Sequence, residues 1–170
     1  MDAFWQRLDL WLRHIMPTAV ALIMVLLSVV AWPLPYLGSV MPPLGFIALY
    51  YWATHRPDLF PAGAAFTVGL LTDLINGLPL GVSAFLFTVA HHVILRQRRF
   101  FAGHSFPMLW SGFALAAGVL TIAQWLAVSL TGWQIAPFAP VLAQTVLGVA
   151  LFPLPCWAFI LMQRAALTAV

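Results

Sequence analysis

Between Phe60 and Leu95 the sequence runs apolar with one aspartate, Asp73, and no lysine, arginine or glutamate. A single helix through all of it would be roughly 50 Å long, well beyond the ~30 Å hydrocarbon thickness of a bilayer. The tract must therefore reverse. Asn76-Gly77-Leu78-Pro79 is the one place inside it with strong turn chemistry. The spacing thus predicts a helical hairpin, with one helix over 60–75 and the next over 80–95. Arg56 stands before the tract and Arg96 after it, and a hairpin leaves both on one side.

The rest of the chain obliges a similar reading. Of its 170 residues 64% are hydrophobic and 6% charged, where a soluble domain carries about 25% charged residues. Four more apolar tracts lie at 15–31, 40–54, 105–130 and 140–162. The predicted fold is all-α: an integral membrane protein of six transmembrane helices, as a single domain over 1–170. Several tracts fall short of the about 20 residues that cross hydrocarbon upright, so local thinning or burial among neighbours must make up the difference. A proline stands near the start of each tract (Pro17, Pro42 with Pro43, Pro61, Pro79, Pro107, Pro140), where its missing N–H costs a helix nothing.

With the amino terminus inside, Arg7, Arg13, Arg56, Arg96, Arg98, Arg99 and Arg164 all fall on the cytoplasmic face, and the opposite loops carry no arginine. Both termini are then cytoplasmic. The net charge of +3 reads as a topology signal, since nucleic acid would need a basic face with aromatics interleaved. Val29-Val30-Ala31 is a tolerable signal-cleavage context, but an uncleaved first span fits the charge pattern better.

A carboxylate at the centre of a membrane helix costs about 2.5–3.5 kcal/mol, less toward the interface, so Asp73 needs a partner. Three are near: the Thr72 hydroxyl, the Asn76 side chain at i+3, and the N–H groups that open the helix after Pro79, where an anion is favoured. Gly77 is predicted to take the positive φ that ends a helix, and Gly81 to remove a side chain where the antiparallel helices lie closest. Two readings stay open. Asp73 ties the hairpin together, or the acid and its exposed turn dock another protein or a ligand.

Gly69, Asp73, Gly77, Pro79, Leu80 and Gly81 form the pattern G-x-x-x-D-x-x-x-G-x-P-x-G. At these residues the chain resembles the MreD family of bacterial rod shape-determining membrane proteins. Its small size, six tracts and arginine cluster after the fourth also match. The resemblance implies a non-catalytic inner-membrane scaffold of the cell-elongation machinery that builds peptidoglycan. Its partners would be MreC, a single-span periplasmic protein, and through it the MreB filament and RodA with its penicillin-binding transpeptidase. It also implies kinship of fold with the membrane substrate-binding subunits of energy-coupling-factor transporters. The alternative function is therefore a small-molecule binding subunit. Such a subunit needs polar residues converging from several spans, and Asp73, Asn76, Gln124 and Gln144 are almost all the polarity present; this scarcity favours the scaffold. The site residues are then Gly69, Asp73, Asn76, Gly77, Pro79 and Gly81, with Arg56, Arg96, Arg98 and Arg99 as topology and lipid-facing charges.

The remaining constellations imply neither metal nor cofactor. His91 and His92 are adjacent, so on a helix they point about 100° apart and cannot readily share an ion; they read as interfacial rings reaching toward phosphates. His14, His55 and His104 lie at tract edges. Trp11, Trp32, Trp52 and Trp133 read as an aromatic belt, and Trp125 and Trp157 as deeper packing or lipid contacts. Cys156 stands alone, which excludes an intramolecular disulfide. Pairs of small residues four apart, Ala65 with Gly69, Gly112 with Ala116 and Ala114 with Gly118, let helices approach closely, within this bundle or against a partner's span. Pro153 and Pro155 predict a kink. Phe4, Trp5, Leu8, Trp11 and Leu12 predict a short amphipathic helix on the cytoplasmic leaflet. Ser83 and Ser105 have no acid–base pair beside them in sequence, and no G-x-S-x-G or phosphate-binding lysine loop exists.

Overall fold

The computed structural model describes residues 2–28, 41–101, 106–132 and 137–168, with side chains at 15–28, 41–98, 106–132 and 137–161. Among the described residues there are seven helices and no strands: α1 (Asp2–Ser28), α2 (Leu44–His55), α3 (Ala62–Asn76), α4 (Val82–Phe101), α5 (Phe106–Thr131), α6 (Phe138–Leu151) and α7 (Pro153–Thr168). By length and apolar character α5 alone is able to cross a bilayer as one straight helix. Helix α6 with 153–161 of α7 does so as a pair bent by 41°, while 15–28 and α3 are shorter apolar helices.

Helix α2 is the centre of the bundle. Every residue from Leu44 to Thr54 is buried, so this helix has no polar face to turn outward and must be surrounded. Helices α1, α3, α4, α5 and α7 all pack against it. Aromatic rings fill the middle: Phe46 meets Phe87 and Phe113 at 5.6 and 5.8 Å between centroids, and Phe113 stacks on Phe152 at 4.2 Å. The buried Tyr50 hydroxyl donates to the Leu109 carbonyl at 3.2 Å, which removes the penalty of an unpaired polar group. Gly45 lets α1 and α3 close on α2, since a Cβ there would stand 2.5 Å from Val25 and 3.3 Å from Val68.

Prolines open five helices, with Pro43, Pro61 and Pro137 as the caps of α2, α3 and α6, Pro107 second in α5 and Pro153 first in α7. Pro17 does not behave this way. It lies inside α1, which runs unbroken from Asp2, so the surface helix and first span expected as separate pieces are one helix. The side chains of 1–14, those of Arg99 and Arg164, and the loops with Trp32, His104 and Trp133 lie outside the described residues.

The kink at Pro153 is compensated by a specific bond. Proline cannot donate to the carbonyl four residues before it, and the carbonyl so released, that of Val149, accepts the Trp110 indole N–H at 2.8 Å. We expect Trp110→Phe to lower stability by about 1 kcal/mol, and by clearly less when Pro153 is already alanine. Thermal unfolding of the two single variants and the double variant checks this; strict additivity would show that the indole does not serve the broken helix.

Candidate functional site

The site is built where α3 ends and α4 begins. Gly77, at φ 63° and ψ 27°, takes the left-handed conformation that terminates α3, and its N–H bonds back to the Asp73 carbonyl. Leu78 N–H donates to that same carbonyl at 3.0 Å. The Asp73 side chain points the other way, across to α4, and is fully buried. Its Oδ2 accepts the Gly81 N–H at 2.9 Å, its Oδ1 the Ser83 N–H at 2.9 Å, and the Ala84 N–H lies 3.4 Å from Oδ2. The first N–H groups of a helix have no partner within it. Here an acid from the preceding helix supplies one, and its negative charge sits at the positive end of the α4 dipole.

Gly69 lies one helical turn before Asp73 and faces the same backbone. A Cβ on Gly69 would stand 2.6 Å from Ala84 Cα and from the Ser83 carbonyl oxygen. Without one, α3 and α4 approach closely enough for the carboxylate to reach. Gly81 has a different role from the expected one. An added Cβ there meets nothing within 4 Å, and its φ of 99° is the reason for glycine; the close approach is at Gly69. Pro79 closes the turn, with its carbonyl accepting Val82 N–H at 3.3 Å.

Residues 9–165 match the family of rod shape-determining protein MreD. The chain belongs to the MreD family. No curated protein and no solved structure matches it. The family is one of membrane proteins with a role in rod-shape determination.

The other members of the predicted set are placed differently. Asn76 is exposed and does not bond to Asp73, and the Thr72 hydroxyl donates to the Val68 carbonyl at 2.8 Å, so of the three candidate partners only the start of α4 is used. Arg56 forms an exposed pair with Asp58 at 3.3 Å, a contact worth about 0–1 kcal/mol. Arg96 and Arg98 are exposed on the last turns of α4, at the opposite end of the hairpin from Asp73.

His91 is not interfacial. It is buried, and its Nε2 lies 2.9 Å from the Phe60 carbonyl oxygen, while the exposed His92 bonds to the Thr88 carbonyl. Among the described residues no three metal-ligating side chains converge. Trp52 is likewise buried rather than belted, packed against Phe159 at 5.7 Å.

Sequence reasoning did not foresee that Ser83 and Gln124 pair beside Asp73. Ser83 is fully buried, and its Oγ accepts the Gln124 Nε2–H at 2.9 Å, so the clasped turn is also tied to α5. The available signal was a lone glutamine in an otherwise apolar helix, which must find a partner.

Gly69→Ala and Gly77→Ala separate the two uses of glycine. Gly77→Ala is expected to cost about 1–2 kcal/mol for the left-handed backbone. Gly69→Ala should cost more, because the methyl meets backbone that cannot swing aside. Thermal unfolding in detergent ranks them; a harmless Gly69→Ala would refute the close approach.

Proposed function

We propose that this chain is a six-span inner-membrane scaffold of the cell-elongation machinery, with both termini in the cytoplasm and no catalytic role. It docks a single-span MreC-like protein and, through it, the MreB filament and RodA with its transpeptidase. The reading rests on the family membership, on the one-sided arginines, and on an unoccupied contact surface of the kind a lone span requires.

That surface is on α5. Ala114 and Gly118 are four residues apart and half-buried, and a Cβ on Gly118 would meet nothing within 4 Å. Gly69 spends its missing side chain on packing inside the bundle; Gly118 does not. A small residue with open space before it lets a second helix come close, where dispersion and lipid release stabilise the pair. Leu115 and Val119 beside it are 71% and 63% exposed, so apolar flanks are ready for the partner. Both Asp73 oxygens are taken by α4, so the acid stiffens the hairpin and does not itself touch the partner.

The carrying observation, the vacant approach at Gly118, sets the test. Gly118→Leu is expected to cut co-purification with the MreC-like partner at least tenfold and to round the cells. Thermal stability of the isolated chain should stay the same, because the new side chain meets nothing of its own bundle. Normal association and rod shape in that variant would remove α5 as the docking face.

Topology is read separately. A cysteine at Asn76 should react with an impermeant thiol reagent added outside intact cells, and one at Arg98 should not. Reaction at Arg98 would break the six-span arrangement.

A further inference from the structure

Asn76, Gln124 and Gln144 lie far apart in the sequence, on α3, α5 and α6, yet the fold brings all three to one half-open cleft of about 460 Å³. That volume is within the about 300–1,000 Å³ typical of small-molecule sites. The cleft is at the end of the bundle that holds the Asn76–Pro79 turn, away from Arg56 and Arg96. Inward it continues into a pocket of about 30 Å³, room for a water, where Ser28 and Thr72 join the three amides.

The hydrogen-bonding capacity of this cleft is largely unspent. Gln124 gives its amide N–H to Ser83, which leaves its carbonyl oxygen free to accept, while the Thr121 and Thr145 hydroxyls pair at 2.8 Å and the Val141 carbonyl takes the remaining proton at 3.0 Å from Thr145. Asn76 and Gln144 make no side-chain hydrogen bond among the described residues. Two whole amides and a carbonyl thus line the cleft, each amide both donor and acceptor. Asn76 is exposed and both glutamines are half-buried, so these groups are accessible to an occupant that enters the cleft.

The cleft also states what the occupant is not. Among the described residues no charged side chain lines it, so a phosphate or a carboxylate would sit there without a counter-charge. Hydroxyl groups match instead, because each gives and takes a hydrogen bond as the amides do. The walls are apolar, from Ile75, Leu78, Val128 and Val141, and include the Trp125 indole, which Phe138 supports edge-on at 5.6 Å between centroids. The C–H face of a sugar ring packs on an indole, and an acyl chain packs on the valines and leucine.

We propose that this cleft binds an uncharged polyol, presented as the head group of a neutral glycolipid. The proposal does not rest on docking of the MreC-like partner, and its test omits that partner. The full chain is purified in a polyoxyethylene-ether detergent, which has no sugar head, and followed by native mass spectrometry. The probes are monoglucosyl diacylglycerol, phosphatidylglycerol with the same acyl chains, and free maltose.

Wild-type protein is expected to retain the glucosyl lipid at least tenfold better than phosphatidylglycerol. Gln144→Leu should weaken that retention roughly five- to tenfold, the equivalent of a lost hydrogen bond or two, with the thermal midpoint unchanged. Val141→Trp, which fills the cleft, should abolish it. Maltose bound as tightly as the glucosyl lipid would uphold the polyol and assign its source to free sugar. No retention of the glucosyl lipid or of maltose, equal retention of the two lipids, or retention unaffected by both variants would overturn the proposal.

Discussion

The Asp73 carboxylate holds the first turn of α4 against the last turn of α3, and the placement of the neighbouring helices depends on that contact. A helix that starts among apolar side chains has N–H groups that no water can satisfy. An acid with two oxygens, reaching from a helix that runs the other way, satisfies them and places negative charge at the dipole's positive end. The contact is geometrically demanding. It requires Gly69 so that the backbones can approach, Gly77 so that α3 can stop one residue after Asn76, and Gly81 so that its N–H can turn inward. The motif is therefore one device with separable parts, each glycine present for its own physical reason.

From this clasp the packing propagates inward. The face of α3 that carries Val68 and Thr72 meets Gly45 of α2, and α2, buried from Leu44 to Thr54, offers its neighbours rings, aliphatic side chains and small residues. Three polar needs inside this assembly are met singly: Tyr50 by the Leu109 carbonyl, Ser83 by Gln124, and the Val149 carbonyl, released by Pro153, by the Trp110 indole. Each pairing joins two helices. With few charges to spend, the chain uses these isolated hydrogen bonds to fix which helix faces which, while apolar burial and dispersion supply the bulk of the attraction.

A scaffold and a binding protein make opposite demands on scarce polarity, one keeping it for internal ties and the other for a cavity. Counting polar residues along the chain favours the first. The fold divides them: Asp73 and Ser83 go to the tie, while Asn76 and Gln144 remain open at a cleft that Gln124 borders with its unspent carbonyl. The proposed docking position at Gly118 and the proposed cleft both involve α5, the former about one to two turns before Thr121 and Trp125, which line the latter.

Local chemistry made part of this legible in the sequence. The run from Phe60 to Leu95 is too long for one span, N-G-L-P is its only strong turn, and Gly77 must end a helix, because length, turn propensity and positive φ are properties of neighbouring residues. Prolines 153 and 155 announced the bend between α6 and α7 for the same reason. What neighbours in sequence do not determine is who lies across the interface. Gly81 serves by its positive φ and not by a close approach, His91 and Trp52 proved buried, and three distant amides converged on one cleft. Those outcomes depend on helix rotation and on distances between backbones, which are set only when α3, α4, α5 and α6 pack against one another and against the rings of α2.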